Sequence, residues 1–91
     1  MVCKKCLVGG RVQGVFYRAT VARRAQQLGI SGHARNLADG RVEVVACGAE
    51  PLVSEFVAWL WTGSSASKVT SVQVSDATEE AARLPAGFHT G

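Results

Sequence analysis

The residues of this sequence best suited to hold an anion lie in one glycine-containing loop. The loop runs from Gly10 to Tyr17 and leads directly into Arg18, at the start of a predicted helix. Successive backbone N–H groups of such a loop can point at one centre, and the helix N-terminus adds positive potential. Gly14 allows close approach of a ligand, and Arg18 can add a bidentate contact. No Walker motif follows, and a glycine turn beside a solvated arginine gives the same pattern.

Asn36 lies just before a turn signal at Asp39-Gly40. An asparagine near a turn commonly hydrogen-bonds the local backbone. On the residue alone, this local role is the favoured interpretation.

The cysteines do not predict a metal site. Cys3 and Cys6 form a Cys-x-x-Cys pair, but a structural zinc site needs four ligands and no second pair exists. His33 and His89 lack ligand spacing. On a strand the two cysteines face opposite ways, and Cys6 is expected to be a buried thiol.

A disulfide between Cys3 and Cys47 is a geometric possibility. If the strands that contain them are antiparallel neighbours, a register that pairs Cys3 with Cys47 also pairs Lys5 with Val45 and Leu7 with Glu43. The bond would close a loop of 44 residues. A reducing cytoplasm opposes it in the cell, and the sequence leaves open whether it forms in purified, oxidised protein.

The elements that must position these residues follow from hydrophobic periodicity, which predicts the order βαββαβ. The predicted strands and helices are Cys3–Gly9, Arg18–Leu28 (helix), Gly32–Leu37, Arg41–Cys47, 50–63 (helix) and Lys68–Asp76. This order indicates an α+β, ferredoxin-like sandwich. Its four-stranded antiparallel sheet has the first and third strands in the centre and both helices on one face. Phe88 marks a possible short fifth strand at the C-terminus.

Length and composition indicate one domain over residues 1–91. The chain has 47% hydrophobic residues, enough for a core, and a net charge of +3. The Lys and Arg residues are scattered rather than clustered, which does not favour a nucleic-acid partner. No apolar run approaches the roughly 18 residues of a membrane span, and no signal peptide is recognisable. We therefore expect a cytoplasmic protein with no membrane or nucleic-acid partner.

The loop sequence Gly-Arg-Val-Gln-Gly-Val-Phe-Tyr-Arg at residues 10–18 resembles the first signature of the acylphosphatase family. Asn36, Gly40, Val42 and Gly48 fit the spacing of its second signature. The predicted βαββαβ order is also the fold of that family. The resemblance covers about residues 3–76.

This resemblance implies a metal-independent enzyme without organic cofactor that hydrolyses small-molecule acyl phosphates to a carboxylate and inorganic phosphate. It implies that Arg18 binds the phosphoryl group and that Asn36 holds the attacking water. It also implies a phosphate loop made by the backbone amides of Gln13, Gly14, Val15, Phe16, Tyr17 and Arg18. We expect the enzyme to be a monomer, and no metal site is expected.

Three departures from the family pattern stand out. His33 replaces a usual large aromatic residue, and it should point to the opposite face of its strand from Asn36, so we expect a packing or surface role. Gly63-Ser64 replaces Gly-Pro, which should soften the turn. The tail Phe88–Gly91 lacks the usual charged and then apolar residue after the phenylalanine.

Glu79-Glu80 is expected to be a solvated pair.

Two other interpretations remain open. The same fold could be a non-catalytic module that binds RNA or has a regulatory role, since a fold alone does not define a function. It could also be an acyl-phosphate domain from a larger maturation enzyme. The Met start and self-contained length favour a separate protein, and the lack of aromatic residues expected on the open sheet face disfavours RNA binding.

Overall fold

A computed structural model describes residues 1–77 and 86–90. Its elements are β1 (Val2–Arg11), α1 (Tyr17–Leu28), β2 (Ser31–Asn36), β3 (Val42–Gly48), α2 (Glu50–Trp59), β4 (Lys68–Asp76) and β5 (Phe88–Thr90). The predicted Glu79-Glu80 pair and the terminal Gly91 lie outside the described residues. No helix in the described ranges is long and apolar enough to cross a membrane.

The strands form one mixed sheet in the order β4-β1-β3-β2-β5. The first four are antiparallel to their neighbours, and β5 pairs in parallel with β2. The predicted ferredoxin-like fold, with its central first and third strands, is therefore confirmed. The fifth strand forms as well, and it extends the sheet beyond β2.

The register between β1 and β3 is the one that a pairing of Cys3 with Cys47 requires. Cys3 lies opposite Cys47, and Leu7 lies opposite Glu43. Because side chains alternate along a strand, this register turns Cys6 and its neighbours on β3 toward the helices. Cys6 is fully buried, as expected, and burial raises the pKa of its thiol to about 11, although Lys4 opposes the shift.

Both helices cover this inner face of the sheet and supply its core. Val53, Phe56 and Leu60 are completely or almost completely buried. The apolar side chain of Leu52 is 40% exposed instead. It precedes Val53 by one residue, about 100° around the helix, which turns it away from the sheet.

Both helices end in turns that backbone hydrogen bonds define. At the C-terminus of α1, Gly29 adopts a left-handed conformation, and the N–H of Ile30 reaches the carbonyl of Ala25 at 2.8 Å. This is a glycine cap of the Schellman type. The second helix ends at Trp59, earlier than predicted, and the chain continues through a turn to Gly63.

Candidate active site

The loop between β1 and α1 has a conformation that requires its glycine. Gly14 has a φ of 73°, and Phe16 also lies in the left-handed region with a φ of 60°. A Cβ on Gly14 would meet no atom within 4 Å, so the dihedral angle, rather than space, selects glycine. Val15 and Tyr17, on either side of Phe16, are buried, while 83% of Phe16 is exposed.

Two hydrogen bonds fasten this loop to the region after α2. The hydroxyl of Tyr17 donates to the carbonyl of Leu60 at 2.8 Å, and the hydroxyl of Ser64 donates to the carbonyl of Val15 at 2.8 Å. Burial, with a smaller effect of Cys6, raises the pKa of Tyr17 well above its ordinary value, so this hydroxyl remains a donor. Ser64 thus adds a contact at the turn that was predicted to be softer.

Gln13 fastens the loop to the turn between β2 and β3. Its Nε2 donates to the carbonyls of Leu37 at 2.8 Å and Arg41 at 3.0 Å. The N–H of Leu37 also donates to the carbonyl of Arg41, which closes the turn. Because Leu37 directly follows Asn36, the Gln13 carboxamide places the end of β2 beside the loop.

Asp39 stiffens the same turn. Its carboxylate accepts hydrogen bonds from the backbone N–H of Arg41 at 3.0 Å and from the Arg41 Nε at 2.8 Å. These bonds hold the pKa of Asp39 below its usual value and raise the pKa of Arg41. Arg41 is therefore fixed by Asp39 at its N–H and side chain, and its carbonyl accepts the hydrogen bond from Gln13.

The loop and the start of α1 enclose a cavity of about 310 Å³. It is lined by Val12, Gly14, Phe16, Tyr17, Arg18, Ala19 and Thr90. The half-buried Arg18 is its charged residue. A cavity with one guanidinium at a helix N-terminus has the charge and size to hold a phosphoryl group.

The backbone donors around this cavity are free to receive a ligand. Among the described residues, no acceptor lies within hydrogen-bond distance of the N–H groups of Gly14, Val15 and Phe16. The first N–H groups of α1 also lack intrahelical acceptors, as in any helix. The carbonyl of Val15 accepts a hydrogen bond from the Ser64 hydroxyl, and the carbonyl of Phe16 accepts one from the Thr20 hydroxyl. Both carbonyl oxygens are therefore already paired.

Asn36 lies at the last position of β2, exposed and outside the residues that line the cavity. Within the described part of the chain its carboxamide has no hydrogen-bond partner. The turn that follows is closed by Leu37, Asp39 and Arg41 instead. The local role that asparagine often has near turns is therefore carried out here by other residues.

Four of the predicted loop residues line the cavity: Gly14, Phe16, Tyr17 and Arg18. Gln13 and Val15 do not, since the side chain of Gln13 reaches the β2–β3 turn and Val15 is buried. The sequence did not predict the cross-links made by the Gln13 carboxamide and by Ser64, nor that Thr90 reaches the cavity. Of these three residues, only Gln13 could have been suspected from the sequence, because it lies inside the predicted phosphate loop.

The outer face of the sheet carries a cluster of charged side chains around Glu43. This residue is 5% exposed, and its Oε1 lies 2.9 Å from the Arg35 Nε and 3.1 Å from the His33 Nε2. Lys5 approaches its Oε2 at 3.4 Å. Burial alone would raise the pKa of Glu43, but the hydrogen bonds from His33 and Arg35 and the charges of Arg35 and Lys5 hold it below the usual value.

Cys3 and Cys47 form a disulfide on this outer face. Both are buried with Val45 and Ala77 in a small apolar cluster separate from the main core.

In the described residues, no three His, Cys, Asp or Glu side chains are grouped to hold a metal ion. The larger cavity of about 400 Å³ lies away from the loop, between α2 and β4, and contains no arginine.

Comparisons with known proteins define the class of the molecule. A solved acylphosphatase from Bacillus subtilis superimposes with a TM-score of 0.88 at 34% identity, over 100% of this chain and 99% of that one. An acylphosphatase from Alkalilimnicola ehrlichii is 48% identical over 85 residues, which are 93% of this chain and 92% of the relative. An acylphosphatase from Legionella pneumophila (strain Corby) is 54% identical over 68 residues, 75% of each chain.

The structural likeness and these relatives define a ferredoxin-like sandwich of the kind found in small acylphosphatases. A sequence model of the acylphosphatase family matches residues 4–90. The chain therefore belongs to the acylphosphatase family, as the two signatures predicted.

Proposed function

We propose that this chain hydrolyses acyl phosphates to a carboxylate and inorganic phosphate in the cavity beneath its first loop. The N–H groups of Gln13–Arg18 and the Arg18 guanidinium hold the phosphoryl oxygens. The observation that carries the proposal is the set of unpaired N–H groups beside one guanidinium. Such donors stabilise charge because they are fixed before the substrate arrives.

The chemistry of an acyl phosphate matches the few groups present. Its leaving group is a carboxylate, which departs without a strong general acid. The protein has to hold the phosphoryl group, neutralise its oxygens and place water in line with the bond that breaks. A loop of N–H donors and Arg18 meet the first two requirements.

Asn36 meets the third requirement by orienting the attacking water. Its exposed carboxamide is unused by the turn and lies one residue from Leu37, which Gln13 ties to the loop. A neutral amide can accept one hydrogen bond from water and donate another while it leaves the phosphoryl charge undisturbed. The proton released by the water passes to an oxygen of the substrate phosphate.

This chemistry needs no metal ion and no organic cofactor, because every step uses backbone donors, Arg18 and Asn36. We also infer that the protein acts as a monomer in the cytoplasm on free acyl phosphates, without nucleic acid. The chain has 91 residues and a net charge of +3, with its cations spread over several elements. Light scattering of the purified protein tests the monomer.

The test is hydrolysis of benzoyl phosphate, followed by ultraviolet absorbance with a chelator present. Arg18→Ala should lower kcat/KM by at least about a hundredfold, because it removes a donor from the developing charge. Asn36→Ala should lower kcat by a similar factor and change KM little, because it acts on the water rather than on the bound substrate. The control variants are Arg23→Ala and Gln26→Ala, exposed side chains of the same two types on α1.

Full turnover in Asn36→Ala would show that the water is held by another group. Loss of activity with the chelator would contradict metal independence. A folded parent that hydrolyses no acyl phosphate would favour the non-catalytic binding module instead. Thermal unfolding of each variant separates these outcomes from loss of structure.

A further inference from the structure

A second polar cavity adjoins the one proposed to hold the phosphoryl group. It has a volume of about 200 Å³ and is lined by His33, Arg35, His89 and Thr90. Thr90 also lines the first cavity, next to Arg18. One residue of β5 thus separates the two spaces, and a ligand that fills the first can extend past Thr90 into the second.

The cationic group of this second cavity is Arg35. Its Nε donates to Glu43, while 56% of its side chain is exposed. Within the described residues, no acceptor is found for its two terminal nitrogens. Glu43 is shared with Lys5 and His33, so it does not fully neutralise this guanidinium. Arg35 can therefore make a bidentate contact with an anion in the cavity.

Each of the two histidines is held by one hydrogen bond from its Nε2 atom. His33 donates from Nε2 to the Glu43 carboxylate, and His89 donates from Nε2 to the carbonyl of Ala86 at 2.8 Å. They are partners in the parallel pairing of β2 with β5. In this arrangement the Nδ1 of each ring takes no part in these bonds.

Two of these residues are departures from the family pattern that the sequence already identified. His33 stands in place of a large aromatic residue, and Thr90 stands where an apolar residue is usual. The structure brings the two together in one cavity, although 57 positions separate them along the chain (90 − 33). A larger side chain at either position would occupy space in or beside this cavity.

We propose that the second cavity is an anion subsite that favours acyl phosphates whose acyl part carries a second negative group. This inference rests on the proposed function, since the first anion must be the phosphoryl group held near Arg18. The acyl part crosses Thr90, and its distal carboxylate or phosphonate binds Arg35 in the cavity that His33 and His89 also line. Every substrate that lacks the second charge leaves these groups in water.

The test compares two substrates of nearly equal shape, para-carboxybenzoyl phosphate and its neutral para-carbamoyl analogue. The parent should prefer the carboxylated substrate by about threefold to tenfold in kcat/KM, the range expected for a charge pair at a partly exposed site. The difference should lie in KM. A para-phosphono and a meta-carboxy substrate then show which anion and which position the subsite accepts.

Arg35→Gln should bring this ratio close to one, and His89→Gln should reduce it. The second variant is included because Arg35 also contacts the buried Glu43, whereas His89 contacts only Ala86 among the described side-chain partners. Arg23→Gln on α1 is the matched control and should leave the ratio as in the parent. Circular dichroism checks that each variant is folded.

The outcomes are distinguishable. A parent that hydrolyses the neutral substrate but shows no preference for the charged one overturns the subsite and leaves the proposed function standing. A preference that persists in Arg35→Gln and His89→Gln places the second anion elsewhere and also overturns it. A folded parent without activity on either substrate overturns the proposed function and the subsite together.

Discussion

The loop at residues 12–16 and the Glu43 cluster on the outer sheet face differ in how far their polar groups are paired. The loop leaves hydrogen-bond donors unpaired, whereas the cluster surrounds its carboxylate with basic side chains. In the loop, the carbonyls of Val15 and Phe16 accept hydrogen bonds from the hydroxyls of Ser64 and Thr20, while the N–H groups of Gly14 to Phe16 have no acceptor among the described residues. On the outer face, a single carboxylate contacts three basic side chains. Unpaired donors are a cost to folding unless water or a ligand reaches them.

This difference separates a site prepared for a ligand from a site that stabilises the sheet. Changes on the outer face should therefore act on the free energy of unfolding, except at His33 and Arg35, which also line the proposed anion subsite. Changes in the contacts that hold the loop should act on turnover beyond their effect on stability. Four measurements test this division, in order of decreasing effect.

Reduction of the Cys3–Cys47 disulfide should have the largest effect on stability. The bond spans 44 residues, and the loss of loop-closure entropy in the unfolded chain corresponds to about 4 kcal/mol. Denaturant unfolding with and without a reductant measures the difference. A Cys3→Ala/Cys47→Ala double variant should show no response to reductant, while equal stability of the parent in both conditions would mean that the bond does not form in solution.

Gln13→Ala should lower kcat/KM by about a hundredfold. The variant loses the two hydrogen bonds that place the β2–β3 turn beside the loop, and displacements of about 1 Å carry penalties of this size. Stability should fall by only about 1–2 kcal/mol. Steady-state kinetics and denaturant unfolding are compared with Gln26→Ala on α1, and a turnover that falls no more than in this control contradicts the positioning role.

Glu43→Gln should lower stability by about 2 kcal/mol near neutral pH, because charged hydrogen bonds become neutral ones. The folded pKa of Glu43 lies below its usual 4.5, so its contribution is complete above that value. The contribution is lost as the pH falls through the folded pKa. Unfolding curves of parent and variant should therefore converge in acid, and a constant gap between them at every pH would contradict the lowered pKa.

Ser64→Ala should have the smallest effect, about 1 kcal/mol in stability, with a fall in kcat/KM of about threefold. The hydroxyl holds the Val15 carbonyl, and its loss frees one end of the loop. Ser65→Ala, an exposed neighbour of the same type, is the control. If the two serine variants behave alike, the bond between Ser64 and Val15 does not position the loop.

Much of the fold was predictable because local patterns carry it. The alternation of side chains on the first and third strands allowed the register that sets Cys3 opposite Cys47, and the structure has that register. The element order and the family were also predicted and are confirmed. The roles of Arg18 and Asn36 stay predictions until the variants are measured.

The end of α2 and the placement of Leu52 were less predictable. Helix ends depend on which carbonyls a turn can reach, and the chain turns after Trp59 through a bond from Thr62 rather than at Gly63. The apolar character of Leu52 indicated burial, but its angle around the helix decided its 40% exposure. These details depend on the neighbours that a residue meets after folding.

By itself, the sequence determined the strand and helix order, the loop that leads into Arg18 and the position of Asn36 at the end of β2. All of these depend on neighbours a few residues apart. Only the tertiary structure decided that Gln13 crosses 24 residues to Leu37, that Ser64 crosses 49 to Val15, and that His33 and Thr90 share a cavity. Those contacts depend on how the helices and the fifth strand pack on the sheet. Patterns in the nearby sequence do not predict that packing, because the residues in contact are far apart along the chain.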